Sequence, residues 1–214
     1  MNLKSILNLF SILILFFSFS YLLPIGVSII FDDGALNIFI ATLILIALLG
    51  SVGAFVTRGA DSNLTQKDGF VIIVLFWVVL SLAGSIPFYL SGMSIMDSVF
   101  ESMSGITTTG ATAISNIDAL PESLLFYRQL LQWMGGMGLI VLAIAVMPLL
   151  GIGGGQIYKT EIPGAMGEQR LTPRIKETAQ ALWSIYFALT VICALLYYIN
   201  GMSVFDAISH AMST

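Results

Sequence analysis

Hydrophobic positions fill five long stretches of this chain, at residues 6–31, 35–56, 69–91, 124–152 and 178–199, and polar positions gather in the short segments between them. Crossing a bilayer takes about 20 helical residues, at a rise of about 1.5 Å each over a core roughly 30 Å thick. Every stretch is long enough. None carries a charged residue between its ends apart from Arg128, near the start of the fourth. The pattern predicts five membrane-spanning helices. Lys4 ahead of the first gives it a likeness to a signal peptide, but it is too long for one and no small-x-small cleavage site follows it.

The segment between the third and fourth stretches, residues 92–121, is too short and too polar to span, yet its pattern is not that of an ordinary loop. Ser94-Ile-Met-Asp97 has the spacing of a capping box, in which the serine hydroxyl accepts from the backbone amide three residues on and the acid there reaches back. A helix is predicted from Ile95 to residue 106, with Ile95, Val99 and Met103 along one face, Met96 and Phe100 beside it, and nothing to break it before Gly105. About twelve residues rise about 18 Å, roughly halfway through the hydrocarbon. Chain that follows a helix stopping there must climb back out, and TTTGATAIS can do so. Such non-helical backbone is tolerated at membrane depth only where it is buried in protein or lines water.

The threonines and Gly110 thereby acquire a reading. Carbonyls freed from helix hydrogen bonding can replace the hydration shell of a cation, threonine hydroxyls can support the turn, and a glycine permits dihedrals that aim successive carbonyls at one axis. The half-helix directs its negative C-terminal end, about half an elementary charge, at the membrane centre.

The pattern then recurs. Residues 92–105, GMSIMDSVFESMSG, align at an offset of 109 with residues 201–214, GMSVFDAISHAMST, and six of the fourteen positions are identical. The capping box returns as Ser203-Val-Phe-Asp206, and the 178–199 stretch takes the place of 69–91. A unit of span, half-helix, filter and span is repeated, and the chain stops inside the second half-helix. Internal repeats are a common way to build transport pathways.

Composition agrees: 57% of the 214 residues are hydrophobic and 9% charged, with mean hydropathy +0.97, against roughly a quarter charged in soluble domains. A net charge of -4 without a basic face excludes nucleic acid as a partner and leaves the lipid bilayer. Cys193 reads as a packing residue. Lys4, Arg58, Lys67, Lys159, Arg170, Arg174 and Lys176 fall on one side of the membrane, seven of the eight basic residues, which puts the N-terminus in the cytoplasm and residues 92–121 outside.

Taken together, TTTGAT at 107–112, the block LLFYRQLLQWMGGMGLIVLAIAVMPLLGIGG at 124–154 and FDAISHAMST at 205–214 resemble the Trk/Ktr/HKT superfamily of potassium transporters, closest to its Trk-type membrane subunit. The resemblance runs from about residue 1 to the last residue. It implies an all-α polytopic membrane protein with K+-channel-like span, half-helix, filter and span repeats around one axis, the first complete and the second truncated, preceded by an extra N-terminal helix pair. Residues 1–60 would be that pair, 69–152 the first pore repeat with half-helix 95–106 and filter 107–112, 153–176 a cytoplasmic loop, and 177–214 the start of the second repeat. The same resemblance implies K+ as the transported ion, held by Thr108, Thr109 and Gly110 with Ala111 as a neighbour. Serine in place of that glycine tends toward sodium in the superfamily, so Gly110 points to potassium. It further implies a homodimer, a cytoplasmic nucleotide-binding ring of the TrkA type, and the bacterial inner membrane. A fourfold pore does not close from one complete repeat, so the chain reads as the N-terminal part of a transporter.

Other polar residues keep two readings. Arg128 either pairs with Glu101 or Asp118 and braces the filter, or snorkels to water at the interface. Glu101 is either its buried partner or, with Asp97, a charge at a cation-attracting mouth, although the cap already accounts for Asp97. His210, aligned with Glu101, reads as packing. Gly135, Gly136 and Gly138 read as a close helix contact, Pro148 as a kink, GIGGG at 151–155 as a turn, and Asn63-Leu-Thr65 as a chance glycosylation match on the inner side. An enzyme would need paired carboxylates, a histidine cluster or an activated nucleophile facing a cavity, and the spans offer none. A non-transporting scaffold or assembly protein is the alternative, but it has no use for two capped half-helices and a threonine-glycine strand.

Overall fold

The computed structural model describes residues 3–59, 66–146 and 171–214. Regular structure among them is helical throughout: α1 (Leu3–Ser18), α2 (Leu22–Phe31), α3 (Leu36–Val56), α4 (Gln66–Leu90), α5 (Ile95–Ile106), α6 (Glu122–Val146), α7 (Leu171–Ile199) and α8 (Val204–Ser213), with single 3-10 turns at Phe19–Tyr21 and Ile117–Ala119. Pro148, the GIGGG run, Asn63 and the loop expected over 153–176, as far as residue 170, lie outside the described residues. The chain divides into two compact units, with the break at Gly135–Gly136 inside α6.

Over the described side chains, three helices are long and apolar enough to cross a membrane, Leu3–Phe31, Leu36–Val56 and Glu177–Ile199, and α4 adds the apolar stretch Val74–Leu90. The first is not one continuous α-helix. Pro24 has no amide proton to give the Ser20 carbonyl four residues back, and just before it the chain tightens into the 3-10 turn at Phe19–Tyr21, closed by the Leu22 amide on the Phe19 carbonyl with a second contact to that of Ser20. The hydroxyls of Ser18 and Ser20 fold back onto the carbonyls of Leu15 (2.6 Å) and Phe17 (2.7 Å).

Helices α1 and α3 approach closely because α3 carries glycine where they cross. A Cβ on Gly50 would stand 2.8 Å from the Leu15 amide nitrogen, and one on Gly53 would collide with the Ser11 hydroxyl. Asn8 Nδ2 ties the far end of the pair to Thr57 Oγ1 at 2.8 Å.

The core of the first unit is aromatic. Tyr127 of α6 stands among Tyr21, Phe39 and Phe88, with ring centroids 5.7, 5.5 and 5.4 Å away. Two hydroxyls there meet a specific need. Pro87, inside α4, leaves the Ala83 carbonyl without its helical partner, and Tyr21 Oη donates to it at 2.9 Å while Tyr127 Oη donates to the neighbouring Gly84 carbonyl at 3.0 Å. A proline inside a span is stable where a neighbouring helix supplies the missing donor.

Ile6, Phe10, Leu130 and Leu131 extend this core, while many other large apolar side chains are exposed, among them Phe16, Ile30, Leu48, Phe55 and Val56. Within its own unit, α7 has no fully buried residue in its apolar window. In water that surface would be a liability. Such surface suits contact with hydrocarbon or with other apolar helices.

Candidate functional site

The polar stretch 101–114 begins on α5, and α5 is built as the capping spacing requires. Ser94 is extended (φ -61°, ψ 155°), its Oγ accepts from the Asp97 amide at 3.1 Å, and its hydroxyl donates to Asp97 Oδ2 at 2.7 Å. One detail differs from the expected box: the carboxylate engages the serine hydroxyl rather than the serine amide. Aspartate is one methylene shorter than the glutamate usual at this position, and its reach falls short.

Burial on α5 is inverted relative to a soluble amphipathic helix. Ser98, Glu101, Ser102 and Ser104 are buried, whereas Ile95, Met96 and Phe100 are exposed. Only the start of the apolar face looks outward: Val99 and Met103 are half-buried, and Met103 Sδ accepts from Ser81 Oγ of α4 at 3.1 Å, while the polar face looks into the protein. Glycines let the neighbours close in on that face. A Cβ on Gly84 of α4 would meet the Ser102 hydroxyl at 2.5 Å, one on Gly105 would meet Leu131 Cβ at 3.0 Å, and one on Gly135 of α6 would fall on the Ile106 carbonyl. The close-packing role read for the glycines of α6 holds at Gly135.

A buried carboxylate needs partners, and Glu101 has three. Its Oε1 lies 2.5 Å from Arg128 Nε, and its Oε2 accepts from Thr112 Oγ1 at 3.0 Å and from the Ala113 amide at 3.1 Å. Of the two readings open for Arg128, pairing is the one realised, and with Glu101. The guanidinium is buried and does not snorkel. Glu101 is the buried partner, and Asp97 is the exposed cap.

Beyond Ile106 the helix ends in a Schellman motif. The Thr108 amide bonds to the Gly105 carbonyl and the Thr109 amide to the Ser104 carbonyl, both at 2.9 Å. The residue forced into the left-handed region by this motif is usually glycine; here it is Thr108, at φ 56°. A β-branched residue there stores about 1–3 kcal/mol of strain, which is a mark of functional segments. Gly110 turns left-handed as well, at φ 74°. Thr107 Oγ1 bonds to the Met103 carbonyl at 2.7 Å and to Thr109 Oγ1 at 2.8 Å, and Ser104 Oγ donates to the Ala111 carbonyl at 2.6 Å. Among the described residues, no hydrogen bond takes the carbonyl oxygens of Thr107, Thr108, Thr109 or Gly110. Thr108, Thr109, Gly110 and Ala111 are exposed on the unit's surface. The structure thus gathers Glu101, Arg128 and the 107–113 strand into one assembly.

Sequence reading passed over three contributors. Ser104 gave no signal beyond being a small polar residue. Asp33 gave no signal beyond being an acid between two apolar stretches, yet its Oδ2 accepts from the Ser123 amide in the first turn of α6 at 2.7 Å, and its Oδ1 from Ser28 at 2.5 Å and the Ala35 amide at 3.1 Å. Tyr21 did have a signal, because Pro87 in an apolar span announces a carbonyl that needs an outside donor.

Apolar helices, three of them long enough among the described residues to cross a membrane, together with a capped twelve-residue helix and the strand after it, define the class: a polytopic α-helical membrane protein. The chain belongs to the TrkH family of cation transport proteins, whose model matches residues 35–214. It is 48% identical to the Trk system potassium uptake protein TrkH of Vibrio parahaemolyticus and 50% identical to that of Halomonas elongata. Each alignment covers 100% of this chain and 45% of the relative. It therefore spans about half the length of the curated relatives it matches. The crystal structure of the potassium transporter TrkH from Vibrio parahaemolyticus superposes with a TM-score of 0.85 at 44% identity, over 99% of this chain and 42% of that one.

Proposed function

We propose that the chain supplies part of a potassium-translocating subunit, in which K+ sheds water and is held by the backbone carbonyls of Thr108, Thr109 and Gly110, with Ala111 beside them. The observation that carries this reading is the run of four carbonyls, Thr107 to Gly110, at the negative end of a half-helix, with no hydrogen bond from any described residue. Glu101 and Arg128 support the strand from behind. The relatives, potassium uptake proteins of a Trk system, agree with it.

On this reading residues 1–60 are a helix pair outside the pore, 69–152 the first pore repeat, 153–176 a cytoplasmic loop and 177–214 the start of the second repeat. The bias of basic residues supports a cytoplasmic N-terminus, with residues 92–121 on the outer side of a bacterial inner membrane. The partners are a second copy and a nucleotide-binding ring of the TrkA type, which the family resemblance supports.

The test is Rb+ uptake into bacteria stripped of their own potassium importers. They express this chain joined at Thr214 to the remaining length of the Vibrio parahaemolyticus relative. Uptake that K+ competes away and Na+ does not is the expected result. No uptake by a chimera present in the membrane, with the ring supplied, sinks the reading in favour of a scaffold. Gly110→Ser in the same chimera is expected to weaken discrimination of K+ over Na+. No atom stands within 4 Å of a Cβ built there, so the side chain finds room, but its left-handed φ of 74° is strained for serine. Unchanged selectivity rules out the assignment of that glycine.

A further inference from the structure

We propose that Ser104 and Glu101 are positioning residues that set the ion selectivity of the 107–110 strand without touching the ion. The inference rests on the transport reading above and deepens it.

Both residues project from the buried face of α5, three positions and about 4.5 Å of rise apart. The strand returning alongside is bonded at two successive levels. Ser104 Oγ donates to the Ala111 carbonyl at 2.6 Å. One turn closer to the helix start, Glu101 Oε2 accepts from Thr112 Oγ1 and the Ala113 amide at 3.0 and 3.1 Å. Arg128 on the other carboxylate oxygen fixes the glutamate's orientation and balances its charge. The order of the bonds, 104 to 111 and then 101 to 112 and 113, runs the strand antiparallel to the helix.

This clamp has two consequences for the carbonyls it brackets. The first concerns freedom. The Schellman bonds at Thr108 and Thr109 hold one end of the four-carbonyl run, the Ser104 bond to Ala111 holds the other, and both anchors lie on Ser104 or within one residue of it. A smaller ion that draws the carbonyls inward must break one of them. The second concerns the length of the ligand set. The Ala111 carbonyl, already accepting from Ser104, is a weaker cation ligand than its four predecessors, so the run ends at Gly110. The inverted burial of α5 follows from this demand: a face devoted to holding a strand has to be polar and has to look inward.

The experiment compares Ser104→Ala, Ser104→Thr and Glu101→Gln with the parent in the full-length chimera, reading Rb+ uptake in competition with K+ and with Na+, alongside the amount of protein in the membrane. Ser104→Ala, which loses the bond to the Ala111 carbonyl, is expected to lower the preference for K+ over Na+ roughly two- to tenfold. Ser104→Thr, which keeps the hydroxyl, restores it. Selectivity within experimental error of the parent in Ser104→Ala, at normal abundance, overturns the clamp while leaving the transport reading intact. Absence of Rb+ uptake by the parent chimera overturns both. Ser104→Ala carries the decision even where Glu101→Gln fails to accumulate.

Discussion

Ser94, ahead of α5, has φ -61° and ψ 155°, and Ser203, ahead of α8, has φ -60° and ψ 156°. Each serine hydroxyl accepts from the amide of the aspartate three residues on at 3.1 Å and donates to its carboxylate at 2.7 Å. The turns before them match as well. Gly92 (φ 101°) and Gly201 (φ 96°) close the preceding helices, with the Met93 and Met202 amides on the carbonyls of Phe88 and Tyr197 at 3.2 Å. After this common start the two helices part. Glu101 is buried against Arg128, whereas its counterpart His210 is exposed, with its ring 6.2 Å from that of Tyr197 in an edge-on arrangement. The start of a half-helix is thus a local matter, written in four residues, while the work of its face depends on what it is packed against.

Giving the first helix the second's residue, Glu101→His, breaks the contrast with the largest effect. Removing one member of a buried ion pair costs about 3–5 kcal/mol, because the other charge is left without its partner, and Thr112 and Ala113 lose their acceptor besides. Thermal unfolding of the full-length chimera in detergent is expected to fall by several degrees, or the protein to fail to accumulate. A variant that unfolds at the parent's temperature sinks the view that this pair holds the strand.

The same contrast explains what the sequence disclosed. Apolar runs, the capping spacing and the 109-residue offset are patterns within one stretch of chain, and they placed the helices and the helix starts. The strand was visible because Thr108, Thr109 and Gly110 are out of place in an apolar chain. Which of two readings Arg128 follows was not visible, because the answer depends on α6 lying against α5, and that contact rests on Gly105 and Gly135 at the crossing. The break at Phe19–Tyr21 was hidden for a different reason: Pro24 sits within an unbroken apolar run, and hydropathy does not register a missing amide proton. Thr108 shows the limit most plainly. The turns at Gly92 and Gly201 use glycine in the left-handed position, as composition-based reasoning expects, whereas the turn at the head of the strand uses threonine.

Equal caps predict equal losses. Ser94→Ala and Ser203→Ala each remove one acceptor for a first-turn amide, at a cost of about 1 kcal/mol apiece, and the double variant loses about the sum because the sites share no partner. Thermal unfolding of the two single variants in the chimera checks this directly. A Ser203→Ala loss several times the Ser94→Ala loss, or the reverse, means that one serine has a duty beyond its cap.

Acid gives the smallest effect and isolates a single tie of the first unit. Burial works to raise the Asp33 carboxyl, but bonds from Ser123, Ser28 and the Ala35 amide outweigh it and hold the group below its ordinary value of 3.8. A carboxyl whose pKa is lower folded than unfolded contributes stability that is fully present above the unfolded value and is lost as pH falls through the folded one. Stability from this group is therefore level from neutrality down to about pH 4 and declines below it. Asp33→Asn keeps the shape but removes the charge that receives the Ser123 amide at the start of α6, where a negative group also meets the positive end of the helix. Its unfolding temperature is expected to lie slightly below the parent's at neutral pH and to converge on it in acid. Parallel curves across that range mean that the carboxylate does not fasten the turn between α2 and α3 to α6.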